Sequence, residues 1–405
     1  MKINIFTSSY PYGTKETFIK TEIEYLATKF EKISIYPFHY GGTSKKCIRK
    51  VPNNVSVNKP VIPKNLVKRL FLLIKNLFLA RNISLFIKEF FYHKVFLSRN
   101  KFYLWFLNLT NFVILSGSQQ LKKLSKEKDS IFYFYWGFGW VYSSILLKKN
   151  NMRFLRLHGS DIFLERSDNY LPLRKNIFSK IDYFLPISKK ISQYLYTRYG
   201  IPKKRILLSY LGSSSTDINP TPSSKAFRIV STSNLIQLKR VNLIIDILKD
   251  LNINIEWVHF GDGVQRNDII NYANDNLPKN IKFIFKGHVN NTDLLKYYSK
   301  NYVDIFINTS EHEGLPFSII EAMSFGIPCI ATDAGATNEI VNDSNGLLLP
   351  LDFELSIVQE EIKNCRKENW MNKRNGAYIT WNNIFNSKKN HSLLYQNFKN
   401  GFIKC

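Results

Sequence analysis

The side chains with the clearest capacity for chemistry lie in one segment of the second half of the chain, residues 310–328. There Glu313 and Glu321 are separated by seven residues, with a turn at Gly314 and a helix start at Pro316 between them. Proline costs nothing at the first helical position, because the N–H that it lacks has no partner there. The N–H groups of the first turn, at the positive end of the helix dipole, can hold a diphosphate.

Glu321 lies within an apolar stretch, Ile319-Ile320-Glu321-Ala322-Met323. Burying a carboxylate is costly unless it accepts hydrogen bonds, and the vicinal hydroxyls of a ribose would donate two. We therefore interpret Glu321 as a ligand of a nucleotide ribose. Two structural alternatives remain open: the helix can carry Glu321 to solvent, or an internal Lys or Arg can pair with it. For Glu313 taken alone, an ordinary loop carboxylate is an equally good interpretation.

The segment resembles the signature of the retaining glycosyltransferases with the GT-B fold, in particular family 4. In that signature two glutamates separated by seven residues are followed by Ala, Met and a Gly-x-Pro turn, which here is Gly326-Ile327-Pro328. The family's next turn usually carries two glycines, whereas this chain has Gly335-Ala336. The resemblance extends to residues 10–26 and to His158-Gly159-Ser160-Asp161, but the family does not predict residues 45–130.

The resemblance implies a role for individual residues. The implied catalytic residues are Lys239 at the leaving diphosphate, Glu313 at hydroxyls of the donor sugar, and His158 against the sugar from the first domain. The implied donor-binding residues are Glu321, Gly314, Leu315, Pro316, Phe317, Lys239, Asn234, Arg240, Gly261 and Val289. Gly13 and Asp161 are implied on the acceptor side.

Asn234 departs from the family, because many members have Arg at this position. A guanidinium brings charge and bidentate geometry to a diphosphate, and an amide brings neither in full. Arg240, next to Lys239, is a candidate to compensate, although neighbouring residues on a helix point about 100° apart. A catalytically weak protein that binds a nucleotide sugar therefore remains an alternative.

The implied reaction moves a sugar from a UDP- or GDP-linked donor to an acceptor hydroxyl, with retention at the anomeric carbon, as a hexosyltransferase does. Negative charge develops on the leaving diphosphate. The second half has no DxD pair, so we predict no metal and no cofactor other than the donor co-substrate. Acceptors of such enzymes are often lipid-linked glycans, which implies synthesis of capsule, exopolysaccharide or lipopolysaccharide. An epimerase or a glycogen-type glucosyltransferase is the alternative among enzymes.

Apolar runs that alternate with amphipathic stretches must position these residues. They predict strands at 131–135, 154–158, 183–187, 206–210, 227–231, 255–260, 281–285, 305–308, 329–332 and 347–349. Helices are expected at 171–178 and 189–199, and across 370–398. Strands that are apolar throughout indicate parallel sheets covered on both faces.

We therefore predict an α/β protein with the GT-B fold, in which two doubly wound, Rossmann-like domains face each other across a cleft. Residues 1–218 form the acceptor-binding domain, with a basic and aromatic insert at about 45–130. A polar linker at 219–224 leads to the nucleotide-sugar-binding domain, residues 225–370. Helices in residues 371–405 are expected to cross back to the first domain.

The 405-residue chain has a net charge of +26, and its first 150 residues hold 25 basic and 7 acidic side chains. In residues 60–105 lysines alternate with large apolar side chains, which favours docking into anionic lipid headgroups over binding along nucleic-acid phosphates. We predict peripheral association with the cytoplasmic face of the cell membrane and no nucleic-acid partner. A basic protein that binds polyanions or membranes without catalysis is the alternative from another class.

The charge-free stretch between Lys101 and Lys122 is interrupted by polar side chains, which predicts a buried helix instead of a membrane span. The four cysteines share no CxxC or Cys/His spacing, so neither a zinc site nor a disulfide framework is indicated. This cysteine usage fits a reducing cytosol.

Overall fold

The computed structural model describes residues 1–13, 16–42, 49–77, 82–215, 217–220, 227–366 and 368–403. The chain forms two units: the first comprises Met1–Ser209 and His391–Cys405, and the second comprises Tyr210–Asn390. The division thus falls at residues 209 and 210, and residues 371–390 belong to the second unit.

The first unit contains a six-stranded parallel sheet. Its strands are β1 (Lys2–Thr7), β2 (Lys32–Pro37), β3 (Val55–Val57), β4 (Ser130–Phe134), β5 (Met152–Leu157) and β6 (Tyr183–Pro186). Their order in the sheet is β3-β2-β1-β4-β5-β6. Because β4 and β5 are buried along their whole length, this sheet is covered on both faces, as its apolar strands predicted.

Helices connect these strands. They are α1 (Ile19–Ala27), α2 (Leu66–Leu77), α3 (Ile83–Tyr92), α4 (Arg99–Ser116), α5 (Gln119–Leu124), α6 (Ser143–Leu146), α7 (Arg174–Phe178) and α8 (Lys189–Tyr199). The α8 helix has the predicted bounds: Ser188 caps its N-terminus by accepting from the Ile191 N–H, and Gly200 ends it in a left-handed conformation.

The second unit has a sheet of the same kind. Its strands are β7 (Phe227–Thr232), β8 (Ile255–Phe260), β9 (Ile281–Phe285), β10 (Ile305–Asn308), β11 (Cys329–Thr332) and β12 (Gly346–Leu349). They are parallel and lie in the order β12-β11-β10-β7-β8-β9. The predicted strands of this half are confirmed to within one residue at each end.

The helices of the second half are α9 (Asn242–Leu248), α10 (Arg266–Asn276), α11 (Asn291–Lys300), α12 (Phe317–Met323), α13 (Leu355–Asn364), α14 (Glu368–Thr380) and α15 (Ser387–Ile403). A five-residue π-helix, Trp381–Phe385, lies between α14 and α15. From His391 onward α15 belongs to the first unit, where Leu394 and Phe398 enter the core around β1 and β4.

Strand β5 of the first sheet carries buried arginine side chains. Arg156 of β5 is buried, and its Nη2 lies 3.0 Å from Oε2 of the equally buried Glu22. The Arg156 Nε donates to the Tyr133 hydroxyl, which in turn donates to Glu22 Oε1. The charges can be buried because they neutralise each other and share hydrogen bonds.

Three expectations about the elements are wrong in part. The first is the predicted strand at 206–210, where only an isolated bridge between Ile206 and Phe184 forms. Leu207 and Ser209 do donate to the β6 carbonyls of Phe184 and Pro186. A parallel ladder would next need an N–H from Pro186 itself, and proline has none.

The second is the polar linker at 219–224. Asn219 is buried in the second unit, where its side-chain amide donates to the carbonyls of Tyr298 and Asn301. Its Oδ1 accepts from Val303 N and from Arg374 Nη2, so Asn219 is an internal bracing residue. Residues 221–224 lie outside the described residues.

The third is the burial of α4. Its C-terminal half is buried at Phe112, Val113 and Leu115, but Phe102 and Phe106 in its N-terminal half are exposed. Polar interruptions in the sequence excluded a spanning segment without showing which half of the helix has a neighbour. No helix within the described residues is both long and apolar enough to cross a membrane.

Candidate functional site

Glu321 is an internal carboxylate of the second unit. It lies on α12 and is 6% exposed. Asn291, the first residue of α11, donates from Nδ2 to Glu321 Oε1. Burial raises the pKa of Glu321 to about 7, and the Asn291 hydrogen bond only partly opposes this. The predicted burial is confirmed, and the partner is an amide, so neither of the alternatives, exposure to solvent or pairing with Lys or Arg, is realised.

Glu313 and Lys239 form an ion pair. The Lys239 Nζ lies 2.6 Å from Glu313 Oε1, and both side chains are largely buried. Asn308, the last residue of β10, places its Nδ2 3.4 Å from the same carboxylate oxygen. The family resemblance implies separate partners for the two residues, the diphosphate and the sugar, and does not predict that they meet.

Hydrogen bonds connect the two loops that carry this ion pair. Lys239 ends a short 3-10 turn after β7, while Glu313 lies in the loop after β10, the neighbouring strand. The Glu311 N–H donates to the Leu238 carbonyl, and the Thr309 hydroxyl donates to the carbonyl of Arg240. The ion pair is therefore held by a rigid join between two strand ends.

Arg240 braces the same join. Its backbone is left-handed, with a φ of 45°, and its Nε and Nη1 donate to the carbonyls of Thr309 and Leu351. Its Nη2 is buried and has no hydrogen-bond partner among the described residues. Asn234, the residue that it was expected to replace functionally, has an exposed side chain.

Two glycines permit close approaches around these loops. A Cβ on Gly335 would lie 1.9 Å from the Glu313 carbonyl oxygen, and one on Gly261 would lie 1.8 Å from the Ser233 carbonyl oxygen. Both glycines have positive φ angles, 65° and 141°. The single glycine of the Gly335-Ala336 turn therefore stands where the backbone leaves no room for a side chain.

The helix expected to hold a diphosphate is short. Pro316 is the residue before α12, and the helix runs for seven residues from Phe317. Leu315 and Pro316 are buried, whereas Gly314, Phe317 and Val289 are partly exposed. The glycine, the proline and the helix thus follow β10 in the predicted order.

His158 of the first unit lies after β5 in an aromatic enclosure. Its ring centroid is 4.0 Å from that of Trp136 and 5.2 Å from that of Tyr135. Its Nδ1 lies 3.8 Å from Asp161 Oδ2, beyond hydrogen-bond distance, and neither ring nitrogen has a hydrogen-bond partner among the described residues. Burial lowers the pKa of His158, which keeps the imidazole neutral near pH 7.

Asp161 organises the loop around His158. Its Oδ1 accepts from the N–H groups of His158 and Gly159, and its Oδ2 accepts from the Gly137 N–H. Burial alone would raise the pKa of Asp161, but the neighbouring His158 and these N–H donors outweigh burial and lower it. Asp161 therefore positions the backbone next to His158.

Sequence analysis missed Glu16 and Trp136. The Glu16 carboxylate accepts from the N–H groups of Ser8, Ser9 and Tyr10, and the Trp136 indole N–H donates to its Oε1 at 2.6 Å. Glu16 thus fixes the loop after β1 and the Trp136 ring that packs on His158. The one feature of the sequence that could have indicated Glu16 is its position within residues 10–26, which resemble the family.

Gly13 lies in the same loop with a φ of 69°. A Cβ there would lie 2.2 Å from the Gly41 carbonyl oxygen, and the Gly13 carbonyl accepts from Arg49 Nε.

Within the described residues, no group of three or more His, Cys, Asp or Glu side chains is arranged to hold a metal ion.

Two α/β units of this kind, each with a six-stranded parallel sheet and flanking helices, define the GT-B fold. Residues 215–354 match the family model described as glycosyl transferases group 1. The matched segment lies in the second half of the chain and includes Lys239, Glu313 and Glu321.

Curated bacterial proteins are similar to part of this chain. The chain is 25% identical to the putative colanic acid biosynthesis glycosyltransferase WcaL of Escherichia coli K12, over 50% of this chain and 52% of the relative. It is 29% identical to the protein CapJ of Staphylococcus aureus, over 42% and 44%. The matched region thus spans about half of each relative.

Two solved structures share the fold over nearly the whole chain. The lipopolysaccharide outer core galactosyltransferase WaaB has a TM-score of 0.66 at 18% identity, covering 100% of this chain and 99% of that one. HepE of Anabaena, solved in complex with UDP and glucose, has a TM-score of 0.63 at 15% identity, covering 99% and 100%.

Proposed function

We propose that the protein is a retaining, metal-independent glycosyltransferase of the hexosyltransferase type. It transfers a sugar from a UDP- or GDP-linked donor to a lipid-linked glycan during synthesis of capsule, exopolysaccharide or lipopolysaccharide. The observation that carries this proposal is the Glu313–Lys239 ion pair, followed by the buried Glu321, in the segment that matches the glycosyl transferases group 1 family. One relative, of 26% identity, is named as a galactosyltransferase acting on a diphosphoundecaprenol-linked sugar.

In this proposal Glu321 binds the ribose of the donor. One oxygen, Oε1, accepts from Asn291. Ribose hydroxyls donate to the carboxylate and favour its ionised form, which lowers the pKa from the value of about 7 that burial imposes. Donor binding and ionisation of Glu321 are therefore coupled.

Lys239 and Glu313 act at the reacting bond. The leaving diphosphate carries more negative charge than the Glu313 carboxylate and attracts the Lys239 ammonium, which lies on a rigid loop join. Glu313 is then freed to accept hydrogen bonds from hydroxyls of the donor sugar. Retention follows from a front-face route, in which the leaving phosphate oxygen takes the acceptor proton and no protein nucleophile is needed.

His158 contacts the sugar as a neutral imidazole. Both of its ring nitrogens lack hydrogen-bond partners among the described residues, although the residue is buried. Buried polar atoms in proteins are normally satisfied. Because Nδ1 faces the Asp161 carboxylate at 3.8 Å, Nε2 is the nitrogen that accepts from a sugar hydroxyl.

The first unit provides a surface for the membrane that carries the acceptor. We define the docking surface as the exposed apolar side chains of α2, α3 and α4 and of the turn before α4. These are Leu66, Val67, Leu70, Phe71, Ile74, Leu77, Ile87, Phe91, Tyr92, Phe96, Leu97, Phe102, Tyr103, Phe106 and Leu107. The helices that carry these side chains contact one another, and so many exposed apolar side chains on neighbouring helices indicate an interaction site.

The charge of this region supports an anionic bilayer as the occupant of the docking surface. Between Glu31 and Glu127 the sequence has eighteen Lys and Arg residues and a single acidic one, Glu89. Glu89 is turned inward, where it accepts from the Leu173 N–H and the Tyr170 hydroxyl. The docking surface therefore combines apolar side chains with uncompensated positive charge, and the protein works at the cytoplasmic face of the membrane.

Asn234 favours a second candidate, a protein that binds nucleotide sugars with weak or no transfer. Arg240 does not supply a free guanidinium in its place, because two of its nitrogens are used on the carbonyls of Thr309 and Leu351. Lys239 is then the principal cation available to the diphosphate.

The proposal is tested by measuring binding and turnover of a panel of UDP- and GDP-sugars. Wild type is compared with Glu321→Ala and with a matched control, Glu354→Ala, which removes an exposed carboxylate of the same unit. We expect one donor to bind and turn over, Glu321→Ala to abolish its binding and Glu354→Ala to preserve it. Binding without transfer to any lipid-linked acceptor supports the second candidate, and absence of any donor binding refutes both.

A further inference from the structure

The first unit contains a cavity of about 670 Å³ that the proposed roles do not use. It lies at the carboxyl ends of β1, β2 and β4, where Ser8, residues 38–42, Trp136, Phe138 and Gly139 line it. Its opposite wall comes from α4 and from the segment that precedes and begins α2. The cavity therefore separates the sheet edge from the helices that carry the docking surface.

Lys64 presents a buried cation to this cavity. Its Nζ is inaccessible to solvent and has no hydrogen-bond partner among the described residues. The one favourable contact the structure shows for the ammonium is with the Tyr40 ring, whose centroid lies 5.6 Å away. Burying an ammonium without a hydrogen-bond acceptor is costly. An anion bound in the cavity would supply the acceptor and the negative charge that the Lys64 ammonium lacks.

The carboxylates of the first unit that could pair with Lys64 already accept other hydrogen bonds. Glu16 is held by three backbone N–H groups and Trp136, and Glu89 by Leu173 and Tyr170. Arg69 also lines the cavity, with its Nε bonded to the Pro63 carbonyl at 2.6 Å. Two basic side chains therefore face a space to which the described residues bring no free carboxylate.

The remaining lining is largely apolar. Phe38, Ile62 and Phe138 line one part, and Leu104 and Leu107 of α4 line another. Leu107 is 41% exposed and belongs to the docking surface as well. A ligand of this cavity can thus join an anionic group to an apolar chain that continues toward the docking surface.

We propose that this cavity binds the phosphate or diphosphate group of an amphiphilic acceptor, with Lys64 as its principal cation. This proposal rests on the proposed function for the identity of the ligand as an acceptor. Trp136 lines the cavity and packs on His158, so the polar end of the acceptor lies next to the residue assigned to the sugar. The surface brings the protein to the bilayer, and the cavity selects the phosphorylated lipid.

The test is calorimetric binding of three probes to the full chain: farnesyl diphosphate below its critical micelle concentration, inorganic pyrophosphate, and farnesol. Lys64→Met keeps the length of the side chain and removes its charge. Lys59→Met makes the same change at an exposed lysine outside the cavity. We expect farnesyl diphosphate to bind wild type at least tenfold more tightly than either other probe, Lys64→Met to weaken this binding at least tenfold, and Lys59→Met to change it less than twofold.

Other results overturn the proposal. Equal binding of pyrophosphate shows a site for a free anion, and equal binding of farnesol shows an apolar site that ignores phosphate. An unchanged affinity in Lys64→Met removes Lys64 from the site. Should Lys64→Met unfold, Lys64→Arg must fold and retain binding within about threefold, since it restores the cation.

The same preparations separate this proposal from the proposed function. UDP- and GDP-sugar binding depends on residues of the second unit, including Glu321. Binding of farnesyl diphosphate through Lys64 without any donor binding refutes the glycosyltransferase and leaves the cavity assignment standing. The opposite outcome is donor binding and transfer that Lys64→Met does not change, with no affinity for farnesyl diphosphate. That outcome supports the glycosyltransferase and refutes the cavity assignment.

Discussion

The carboxylate of Glu313 and the ammonium of Lys239 lie 2.6 Å apart, although they are 74 positions apart in the chain. They follow β10 and β7, which are neighbours in the sheet, so the parallel topology brings both to the same edge. A pair that neutralises itself is stable in isolation and can be divided by a ligand with more charge. This arrangement is compatible with the proposed transfer of a sugar from a diphosphate.

Loss of the Lys239 charge should impair donor use much more than folding. We expect Lys239→Met to lower kcat/KM for the donor at least tenfold, because the leaving diphosphate loses its main cation. The control is Lys249→Met, which removes a more exposed lysine paired with Asp246 in the same unit. Equal losses in the two variants would contradict the assignment of Lys239.

The ion pair itself should contribute modestly to stability. We expect Lys239→Met and Glu313→Gln each to lower the free energy of unfolding of the second unit by about 1 kcal/mol, because each removes the ion pair between two partly buried side chains. The double variant should lose less than the sum of the two, which a urea-unfolding cycle measures. Strict additivity would show that the two side chains are not coupled in solution.

Ionisation of Glu321 should make stability depend on pH. Burial raises its pKa from 4.5 to about 7, so the folded protein holds a proton that the unfolded chain releases. Its contribution is fully present below pH 4.5 and is lost as the pH rises through 7, a change of about 3 kcal/mol for this shift. Glu321→Gln should therefore gain stability relative to wild type between pH 5 and pH 8.

Donor affinity should change in the opposite sense over the same range. The ionised carboxylate is the better acceptor for ribose hydroxyls, so wild-type affinity should increase from pH 6 to pH 8. Glu321→Gln should show lower affinity and a flat profile. A pH profile that is the same in both proteins would remove Glu321 from the donor site.

Asp161 should matter for the loop that holds His158. We expect Asp161→Asn to lower the free energy of unfolding of the first unit by about 2 kcal/mol, because an amide cannot replace both acceptor oxygens. Denaturant titration followed by tryptophan fluorescence measures this, since Trp136 packs on His158. A change below 0.5 kcal/mol would show that the three N–H groups find water as readily.

Gly335 should tolerate no side chain. Gly335→Ala places a Cβ against the Glu313 carbonyl, whereas Gly326→Ala in the same unit has a similar φ of 71° and a nearest atom at 3.4 Å. Each substitution places an alanine in the left-handed region, which destabilises the protein by about 1 kcal/mol. We expect Gly335→Ala to lose clearly more stability and also donor affinity. Equal losses would mean that the Glu313 loop moves freely.

Binding to anionic vesicles should depend on the basic face of α2. Lys68→Glu combined with Lys75→Glu should reduce flotation with phosphatidylglycerol vesicles at least fivefold at 0.1 M salt, because both lysines are exposed among apolar side chains. Lys203→Glu with Lys204→Glu reverses two exposed charges elsewhere in the same unit and should have little effect. Equal effects would indicate attraction by net charge alone.

The order of elements in the second half could be predicted because each of its strands is a short apolar run bounded by polar turns. The strand expected at 206–210 failed for a reason that is local but depends on a partner, since Pro186 of β6 cannot return a hydrogen bond. The burial of α4 failed similarly: an apolar helix signals a need for burial and does not show which of its halves will find a neighbour.

The sequence by itself determined which residues have chemistry to offer: Glu321 set in an apolar stretch, Glu313 before a glycine turn, and a first half with eighteen basic residues around one acid between Glu31 and Glu127. The contacts between residues distant in the chain were decided by the tertiary structure alone. It pairs Lys239 with Glu313, hydrogen-bonds Trp136 to Glu16, and buries the Lys64 ammonium at a cavity. Local patterns record how a residue relates to its near neighbours in the chain, whereas these contacts depend on the order of strands in the sheets.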